Sequence, residues 1–394
     1  MRIAFYAPLK PPTHPNPSGD RRMARLLMKA LARAGHEVEL AATLRSRNDS
    51  GDPARQAAIA RQGREIAEGL IRAYRARPVS ERPEAWFTYH LYYKAPDWLG
   101  PRVADALDIP YVVAEASHAP KRATGPWAMG HAAAAAAIRR ADAILLLNPS
   151  DAPGLSPALV EPERLVPLRP FIEPAGFAAA RARRDVVRAA FADALRLDRE
   201  QPWLLTVARM RPGDKLASYR LLADALRRIP EEPWHLLIIG DGPAQAAVQA
   251  DFQGFSKDRI RFLGPRRPED LPDLYAAADL YLWPAVNEAY GMALLEAQAA
   301  GLPVVAGAFG GVSAVVGDGV TGLLTRPGDA QAFATAVRGL LADPERRRAM
   351  GAAAAARIAA EHDLDAAAGI LDGAVRQACA RHCDAGAVRR RTAS

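Results

Sequence analysis

Two glutamates separated by seven residues are the clearest candidates for chemistry in this sequence. Glu288 directly follows a predicted buried strand, Leu280–Trp283, and Glu296 lies about one turn inside the helix that comes next. Gly291, between them, lets the backbone approach a ligand closely, and the first amides of the helix, from Met292 onward, are free to bind an anion. With this order of residues, a phosphate group would bind to the amides, and hydroxyls of the ligand would donate hydrogen bonds to the two carboxylates. The alternative is that both glutamates are solvated residues of an ordinary turn.

The elements that must position these glutamates follow a repeated strand–helix order. In the second half, strands are predicted over 204–208, 235–239, 260–263, 280–283 and 304–306, with helices between them. In the first half, strands are predicted over 3–7, 38–41, 85–88, 111–114 and 143–147. Such alternation predicts parallel sheets covered by helices. We therefore expect an α/β protein with two doubly wound, Rossmann-like halves facing each other across a cleft, and ligands at the carboxyl ends of the strands.

The predicted boundaries give four regions. Residues 1–175 form a first Rossmann-like domain that faces the acceptor, and 176–200 form a linker. Residues 201–362 form the second Rossmann-like domain, and 363–394 form a C-terminal helix and basic tail that crosses back to the first domain.

Composition narrows the class of protein. The chain has 394 residues, of which 50% are hydrophobic and 24% charged, so it has enough apolar material for two cores and is not disordered. The formal net charge of +8 favours anionic partners. Because no apolar run reaches the roughly 18 residues that cross a bilayer and no secretory signal opens the chain, we expect a cytoplasmic protein. Peripheral contact of the basic helix at Arg21 and Arg22 with an anionic membrane is left open, whereas nucleic acid is not an expected partner because aromatic and basic residues do not alternate.

The segment from Asn287 to Glu296 resembles the E-x7-E motif of retaining GT-B glycosyltransferases of the family 4 type, which use nucleotide-sugar donors. Four further segments resemble that family's motifs in the expected order. They are Val207–Arg209 with Asp214-Lys215, Ile239–Pro243, Phe309–Val312 and Asp318–Leu324. The resemblance is specific over 203–330. The N-terminal half matches only generally, through Ser18-Gly19 and Ala34–Val38.

The resemblance implies a donor site and assigns its residues. Arg209 and Lys215 would bind the donor diphosphate, Glu288 would hold hydroxyls of the donor sugar, and Glu296 would bind the ribose hydroxyls. The other implied donor-binding positions are Gly19, Tyr290, Gly291, Met292 and Ala293. Two cations and a helix N-terminus are able to neutralise a leaving diphosphate without a metal ion, so we expect no metal and no cofactor. The donor is itself a substrate, and a UDP-sugar is favoured over a GDP-sugar.

His118 is the candidate catalytic residue of the first half, together with Arg209, Lys215 and Glu288 of the second. It follows the predicted strand 111–114, and many members of the family keep a histidine near the donor sugar in this region. Its alternative is a structural role. Nearby, Glu115, Lys121 and Arg122 would face an anionic acceptor, or they belong to a solvated loop.

Two other patterns are set aside. Asp363-Leu364-Asp365 has the form of a metal–diphosphate motif from another glycosyltransferase fold, but it does not follow a strand. Cys379, His382 and Cys383 share a helical face, yet three such residues in a C-terminal tail are more often incidental than a metal site.

The sequence therefore predicts a retaining glycosyltransferase that moves a sugar from a nucleotide diphosphate sugar to an acceptor hydroxyl. The acceptor is open between a glycan, a lipid-linked sugar and a small molecule. Two alternatives are a nucleotide-sugar epimerase of the same fold and a protein that binds nucleotide sugars without turnover. The transferred sugar, the base and the oligomeric state are not encoded in any motif that we recognise.

Overall fold

The computed structural model describes residues 1–158, 161–256 and 258–392. The chain forms two compact units. Unit 1 comprises Met1–Arg169 and Leu364–Ser394, and unit 2 comprises Pro170–Asp363. Each unit is built on one six-stranded sheet in which all paired strands are parallel.

Unit 1 has its sheet in the order β2-β1-β3-β4-β5-β6. The strands are β1 (Arg2–Tyr6), β2 (Glu37–Leu40), β3 (Ala85–Leu91), β4 (Tyr111–Ala116), β5 (Ala143–Leu146) and β6 (Leu165–Pro167). The helices are α1 (Gly19–Arg33), α2 (Pro53–Ala76), α3 (Gly100–Leu107), α4 (Ala128–Arg140) and α5 (Ala152–Leu155).

Unit 2 has its sheet in the order β12-β11-β10-β7-β8-β9. Its first helices are α6 (Ala175–Ala182) and α7 (Arg184–Leu195). The strands are β7 (Trp203–Val207), β8 (His235–Ile239), β9 (Ile260–Gly264), β10 (Leu280–Trp283), β11 (Val304–Gly307) and β12 (Gly322–Thr325). The other helices are α8 (Asp214–Arg227), α9 (Gln245–Asp251), α10 (Leu271–Ala277), α11 (Met292–Ala299), α12 (Val312–Val315), α13 (Ala330–Ala342) and α14 (Pro344–Glu361).

The last helix, α15 (Leu364–Thr392), belongs to unit 1. Polar contacts hold it along its length. Arg33 Nε lies 2.8 Å from Asp365 Oδ1, and Arg381 Nη1 donates to the Asp142 carbonyl at 3.0 Å. The residues after Asp363 therefore complete the unit that begins at Met1.

Burial explains why the strands form where the hydrophobic pattern predicts them. All residues of β8 and β10 are buried, as expected for parallel strands that carry helices on both faces. The predicted α/β architecture with two doubly wound sheets is confirmed. Two short strands, β6 and β12, were not predicted.

Both sheets reverse their strand order beside the first strand of the unit. In unit 2 the chain runs from β7 outward through β8 and β9 and then returns to place β10 on the other side of β7. In unit 1 the reversal lies between β1 and β3. Ligands of such sheets bind in the crevice at this switch point, outside the carboxyl ends of the strands. The candidate ligand-binding residues are therefore those that follow β7 and β10 in unit 2, and those that follow β1 and β3 in unit 1.

The segment 176–200, expected to be a linker, contains α6, almost entirely, and all of α7. Arg184 Nη2 and Arg188 Nη1 reach opposite oxygens of the Asp279 carboxylate, at 2.7 and 2.9 Å. Phe177 of α6 lies against Tyr275 of α10, with 5.9 Å between ring centroids. These contacts anchor both helices on unit 2.

Among the residues that the structure describes, none of the helices combines the length and the apolar character needed to cross a membrane.

Candidate functional site

Lys215 and Glu288 meet at the switch point of unit 2. Lys215 is the second residue of α8, after β7, and Glu288 lies in the loop after β10. The Lys215 ammonium is paired with Glu288 Oε2, which also accepts a hydrogen bond from Trp283 Nε1 at 3.1 Å. The ammonium lies 5.2 Å from the centroid of the Trp283 ring. Both charged side chains are mostly buried, with 23% and 18% exposed, so their orientation is fixed by the protein.

The loop that carries Glu288 is held in an unusual conformation. Ala285 and Asn287 have positive φ angles of 57° and 52°, which costs free energy in residues other than glycine and is concentrated at functional sites. Two contacts with α8 hold it there. The Val286 amide donates to Ser218 Oγ at 3.0 Å, and Asn287 Nδ2 donates to Asp214 Oδ2 at 3.2 Å. The helix that supplies Lys215 thus also positions the glutamate loop.

The N-terminus of α11 follows this loop directly, and its sequence explains its shape. Gly291 is the N-cap with φ 77°, and a Cβ atom there would lie 2.8 Å from the Leu294 side chain. Tyr290 and Met292 are buried, whereas Ala293 is partly exposed. Because the N-cap has no side chain, it cannot cap the helix and leaves amides of the first turn available to an anion.

Glu296 lies in the middle of α11, and its side chain is buried. One of its partners is the Tyr275 hydroxyl of α10, which donates to Glu296 Oε2 at 2.8 Å. The residue as a whole is 4% exposed. A carboxylate that is held in place by a phenol offers oriented oxygens for ligand hydroxyls.

Arg209 follows β7 and is paired with Asp241, which follows β8. The backbone keeps these two loops together, since the Met210 amide donates to the Asp241 carbonyl at 2.8 Å. A Cβ atom at Gly240 would collide with the Ala208 carbonyl oxygen, and φ there is 143°. The glycine of this turn is therefore required for the close approach that places Asp241 beside Arg209.

The structure thus brings the predicted residues of unit 2 to one edge of one sheet.

The predicted residues of unit 1 are Gly19 and His118. Gly19 is the first residue of α1, directly after the N-cap Ser18, whose hydroxyl accepts from the Arg21 amide at 3.2 Å. His118 lies beyond β4, with Nδ1 3.1 Å from the Gly154 carbonyl oxygen and its ring 5.1 Å from that of His131.

A charged cluster at the switch point of unit 1 was missed by the sequence analysis. His90 Nδ1, at the end of β3, lies 3.4 Å from Asp20 Oδ1 and 3.6 Å from Glu115 Oε1. His90 and Glu115 have positive φ angles of 62° and 60°. Ser117 Oγ donates to Asp151 Oδ1 at 2.7 Å beside them. The signal was available, since His90 occupies the same carboxyl-end position on its strand that drew attention to His118.

Electrostatics keep this histidine protonated. Burial disfavours the charged imidazole, but the carboxylates of Glu115 and Asp20 outweigh it and raise the pKa of His90 to about 9. Burial and the neighbouring Asp20 carboxylate raise the pKa of Glu115, against the opposing effect of His90. For Asp20, the contact with His90 outweighs burial and lowers the pKa.

This cluster predicts a pH-dependent stability. The pKa of His90 is about 9 in the folded protein and about 6.5 in an unfolded chain, so protonated His90 stabilises the fold fully below about pH 6.5. The contribution is lost as pH rises through about 9 and amounts to at most about 3 kcal/mol. We expect the difference in unfolding free energy between the wild type and His90→Asn, measured by urea denaturation, to shrink over this interval. Asparagine tolerates the positive φ, so a constant difference would contradict the assignment.

One large concave region of unit 2 lies away from these residues. It has a volume of about 680 Å³, and the residues that line it include Arg181, Arg347 and Arg348 as well as the paired Asp279 and Arg184. Asp279 precedes β10, so this cavity lies at the amino edge of the sheet. Ligands of doubly wound sheets bind at the other edge, and we assign the cavity no part in the site.

The comparison with known sequences identifies the domain that carries the site. Residues 201–343 match the family described as glycosyl transferases group 1. This segment of the chain is similar to group 1 glycosyltransferases. Arg209, Lys215, Glu288 and Glu296 all lie inside the matched segment.

Curated relatives match a part of the chain. The D-inositol 3-phosphate glycosyltransferase of Corynebacterium aurimucosum is 50% identical over 95 residues, which are 24% of this chain and 23% of the relative. That of Nocardia farcinica is 40% identical over 145 residues, 35% of this chain and 32% of the relative. The chain therefore spans about a quarter to a third of the length of these relatives.

Solved structures match the chain over nearly its whole length. Sucrose-phosphate synthase from Thermosynechococcus elongatus has a TM-score of 0.71 and 22% identity, covering 96% of this chain and 98% of that one. Anabaena HepE in complex with UDP-glucose has a TM-score of 0.68 and 18% identity, covering 95% and 99%. The predicted GT-B fold and the resemblance to family 4 glycosyltransferases are confirmed.

Proposed function

We propose that the protein transfers a sugar from a nucleotide diphosphate sugar to an acceptor hydroxyl, with retention of the anomeric configuration. The observation that carries the proposal is the meeting of Lys215 with Glu288 at the switch point of unit 2. A cation and a carboxylate on the loops of two adjacent strands, next to an uncapped helix N-terminus, match the charges and hydroxyls of such a donor.

The diphosphate is the part of the donor that the cations recognise. Arg209 is paired with Asp241, and Lys215 with Glu288. A diphosphate competes with these carboxylates for the same cations and also accepts hydrogen bonds from the first amides of α11. As the bond to the sugar breaks, negative charge grows on the leaving diphosphate, and these groups stabilise it. This charge stabilisation supports a reaction that is independent of a metal ion.

The two glutamates are assigned to hydroxyls of the donor. Glu288, released from Lys215 by the diphosphate, accepts hydrogen bonds from the sugar, with the backbone of Tyr290, Gly291, Met292 and Ala293 beside it. Glu296 accepts from the ribose. Its buried position and the Tyr275 hydroxyl on one of its oxygens keep the carboxylate oriented before the donor arrives.

Retention follows if the acceptor attacks the face from which the diphosphate leaves. The acceptor oxygen forms the new bond to the anomeric carbon, the bond to the diphosphate oxygen breaks, and that oxygen takes the acceptor proton. For His118 and Gly19 we keep the roles that the family resemblance implies, a contact of His118 with the donor sugar and a place for Gly19 in a loop over the diphosphate.

The comparisons support a UDP-sugar as donor and leave the chemical class of the acceptor open. HepE has been solved with UDP-glucose. The curated relatives are named for an inositol phosphate acceptor, so we propose a hydroxyl-rich acceptor, as a small molecule, a glycan or a lipid-linked sugar.

The test is the appearance of products. We expect UDP release from UDP-glucose that depends on an added acceptor, and a product whose anomeric proton coupling in NMR matches that of the donor. A product of inverted configuration would contradict retention. Conversion of the donor to an epimer without acceptor would favour an epimerase, and binding of the donor without any conversion would favour a non-catalytic protein.

A further inference from the structure

The cavity at the amino edge of the unit 2 sheet has an excess of positive charge. Four arginines line it, Arg181 of α6, Arg184 of α7, and Arg347 and Arg348 of α14, but only one carboxylate does, that of Asp279. Among the described residues, every other one that lines the cavity is alanine, glycine or proline. The cavity of about 680 Å³ is therefore cationic, and the rest of its wall has no polar side chains.

Two of these arginines have structural roles. Arg184 is paired with Asp279 and also donates to the Ala276 carbonyl of α10 at 2.7 Å. Arg347 Nη1 donates to the Leu340 carbonyl, near the end of α13, at 2.7 Å. Cations at these positions stabilise the negative C-terminal ends of the two helices. The contacts account for Arg184 and Arg347 without any ligand.

Arg181 and Arg348 have no such role. Within residues 1–158, 161–256 and 258–392, neither side chain makes a hydrogen bond or an ion pair. Both residues are exposed at the rim of the cavity. The stem of Arg181 is nevertheless held close to the backbone, since a Cβ atom on Gly301 would lie 2.8 Å from Arg181 Cδ. Two guanidinium groups thus line the cavity with all of their donors available.

The charges around the cavity act on one another. Burial lowers the pKa of Arg347, and the Asp279 carboxylate opposes this effect. The cations of Arg184 and Arg348 lower the pKa of Arg347 further. Both oxygens of Asp279 are already paired, with Arg184 and Arg188. The carboxylate of the cavity therefore leaves no counter-charge for the two exposed guanidinium groups.

We propose that the cavity is a second binding site, separate from the donor site, for the phosphate monoester of a molecule with an apolar body. A phosphate monoester carries a charge of about −1.5 to −2 at neutral pH, which balances the charges of Arg181 and Arg348. The planar guanidinium group donates two parallel hydrogen bonds to phosphate oxygens. The body of the ligand packs on the small residues of the wall, which include the exposed Ala352, Ala356 and Ala359 of α14. A hydroxyl-rich body finds no partners on these methyl groups.

The test is calorimetric titration of small probes into the full-length protein saturated with UDP, so that the donor site is occupied. Phenyl phosphate has the proposed charge and an apolar body. Phenyl sulfate has the same body with a single charge, and glucose 6-phosphate has the phosphate with a hydroxyl-rich body. We expect phenyl phosphate to bind at least about tenfold more tightly than either of the others. Equal affinity for phenyl phosphate and either other probe, or no binding at millimolar concentration, would overturn the proposal.

Variants determine whether the binding occurs in the cavity. We expect Arg181→Gln and Arg348→Gln each to weaken phenyl phosphate binding by about tenfold, and Ala352→Glu, which adds a carboxylate to the wall, to abolish it. Arg346→Gln is the matched control, because Arg346 is exposed on the same helix but does not line the cavity. We expect it to keep the wild-type affinity. Unchanged affinity in both cavity variants, or an equal loss in the control, would contradict the assignment.

A second arm distinguishes a soluble ester from a lipid. Vesicles of phosphatidylcholine with phosphatidic acid, whose head group is a phosphate monoester, are sedimented with the wild type and with Arg348→Gln. Sedimentation that depends on Arg348 supports a phosphate on a lipid. Binding of phenyl phosphate without sedimentation supports a soluble ligand.

The inference does not depend on the proposed sugar transfer, and the two fail separately. Lys215→Ala removes a cation from the proposed donor site, so we expect it to leave the affinity for phenyl phosphate unchanged. Loss of phenyl phosphate binding in this variant alone would assign the phosphate to the donor site and overturn the inference. Absence of UDP binding to the wild type would contradict the proposed function only.

Discussion

Lys215→Ala is expected to lower the rate of sugar transfer by about two to three orders of magnitude. Lys215 is the cation that the proposed diphosphate displaces from Glu288, and it acts on the charge that grows as the diphosphate leaves. Loss of one such group typically costs about 3–4 kcal/mol in the transition state. The variant also leaves Glu288 without its ammonium partner, so the carboxylate repels the donor. Turnover of UDP-glucose with a productive acceptor is the measurement.

A matched control is available on the same helix. Arg220 of α8 lies 3.5 Å from Asp251 and is 61% exposed, so Arg220→Ala removes a cation from α8 without touching the site. We expect its turnover to remain close to that of the wild type. If both variants lose activity equally, the effect belongs to α8 as a helix, and the role assigned to Lys215 is wrong.

Glu296→Gln is expected to weaken donor binding by about ten- to a hundredfold. Glutamine keeps the size of the buried side chain but removes the negative charge that strengthens hydrogen bonds from the ribose hydroxyls. Binding of UDP is sufficient to measure the effect, because the ribose belongs to the nucleotide. The measurement therefore does not require the transferred sugar to be known.

Tyr275→Phe tests how much the orientation of the Glu296 carboxylate contributes to UDP binding. The Tyr275 hydroxyl donates to Glu296 Oε2, so its removal disturbs the orientation of the carboxylate without removing the charge. We expect UDP affinity to fall by only a few-fold, because Tyr275 acts on the nucleotide only through the orientation of the Glu296 carboxylate. If Glu296→Gln lowers the unfolding free energy but leaves UDP affinity unchanged, Glu296 is a structural residue and not a ligand of the ribose.

The strands and helices that surround the donor site were predictable because each is long or strongly patterned. β8 and β10 are continuous apolar runs that the sheet buries completely. β6 was missed because it has three residues at the edge of its sheet and is only partly buried. β12 was missed because its four residues lie in a glycine-containing segment that was interpreted only as a motif.

The site residues were predictable one at a time, but their pairings were not. The motifs indicate Lys215 and Glu288, yet only the fold shows that they are paired and that Trp283 donates to the same carboxylate oxygen. From the sequence, Asp241 is recognisable only as part of the turn Ile239–Pro243. Its role as the partner of Arg209 depends on the parallel pairing of β7 with β8, which brings together loops that are 32 residues apart.

His90 illustrates a different limit. A single histidine at a strand end gives no sign of its charge, because that charge depends on Asp20 at the start of α1 and on Glu115 at the end of β4. Three segments more than twenty residues apart must converge before the pKa of His90 rises to about 9.

The most direct test of the account is a thermal-shift panel of UDP-, GDP- and ADP-sugars on the wild type and on the Lys215→Ala, Glu296→Gln and Arg220→Ala variants. A ligand that binds only the native state raises the melting temperature, and the rise grows as the ligand concentration exceeds the dissociation constant. We predict that UDP-sugars stabilise the wild type and Arg220→Ala, and that the shift is largely lost in Lys215→Ala and Glu296→Gln. If no nucleotide sugar stabilises the wild type at millimolar concentration, or if all four proteins respond alike, the donor site is not where we have placed it.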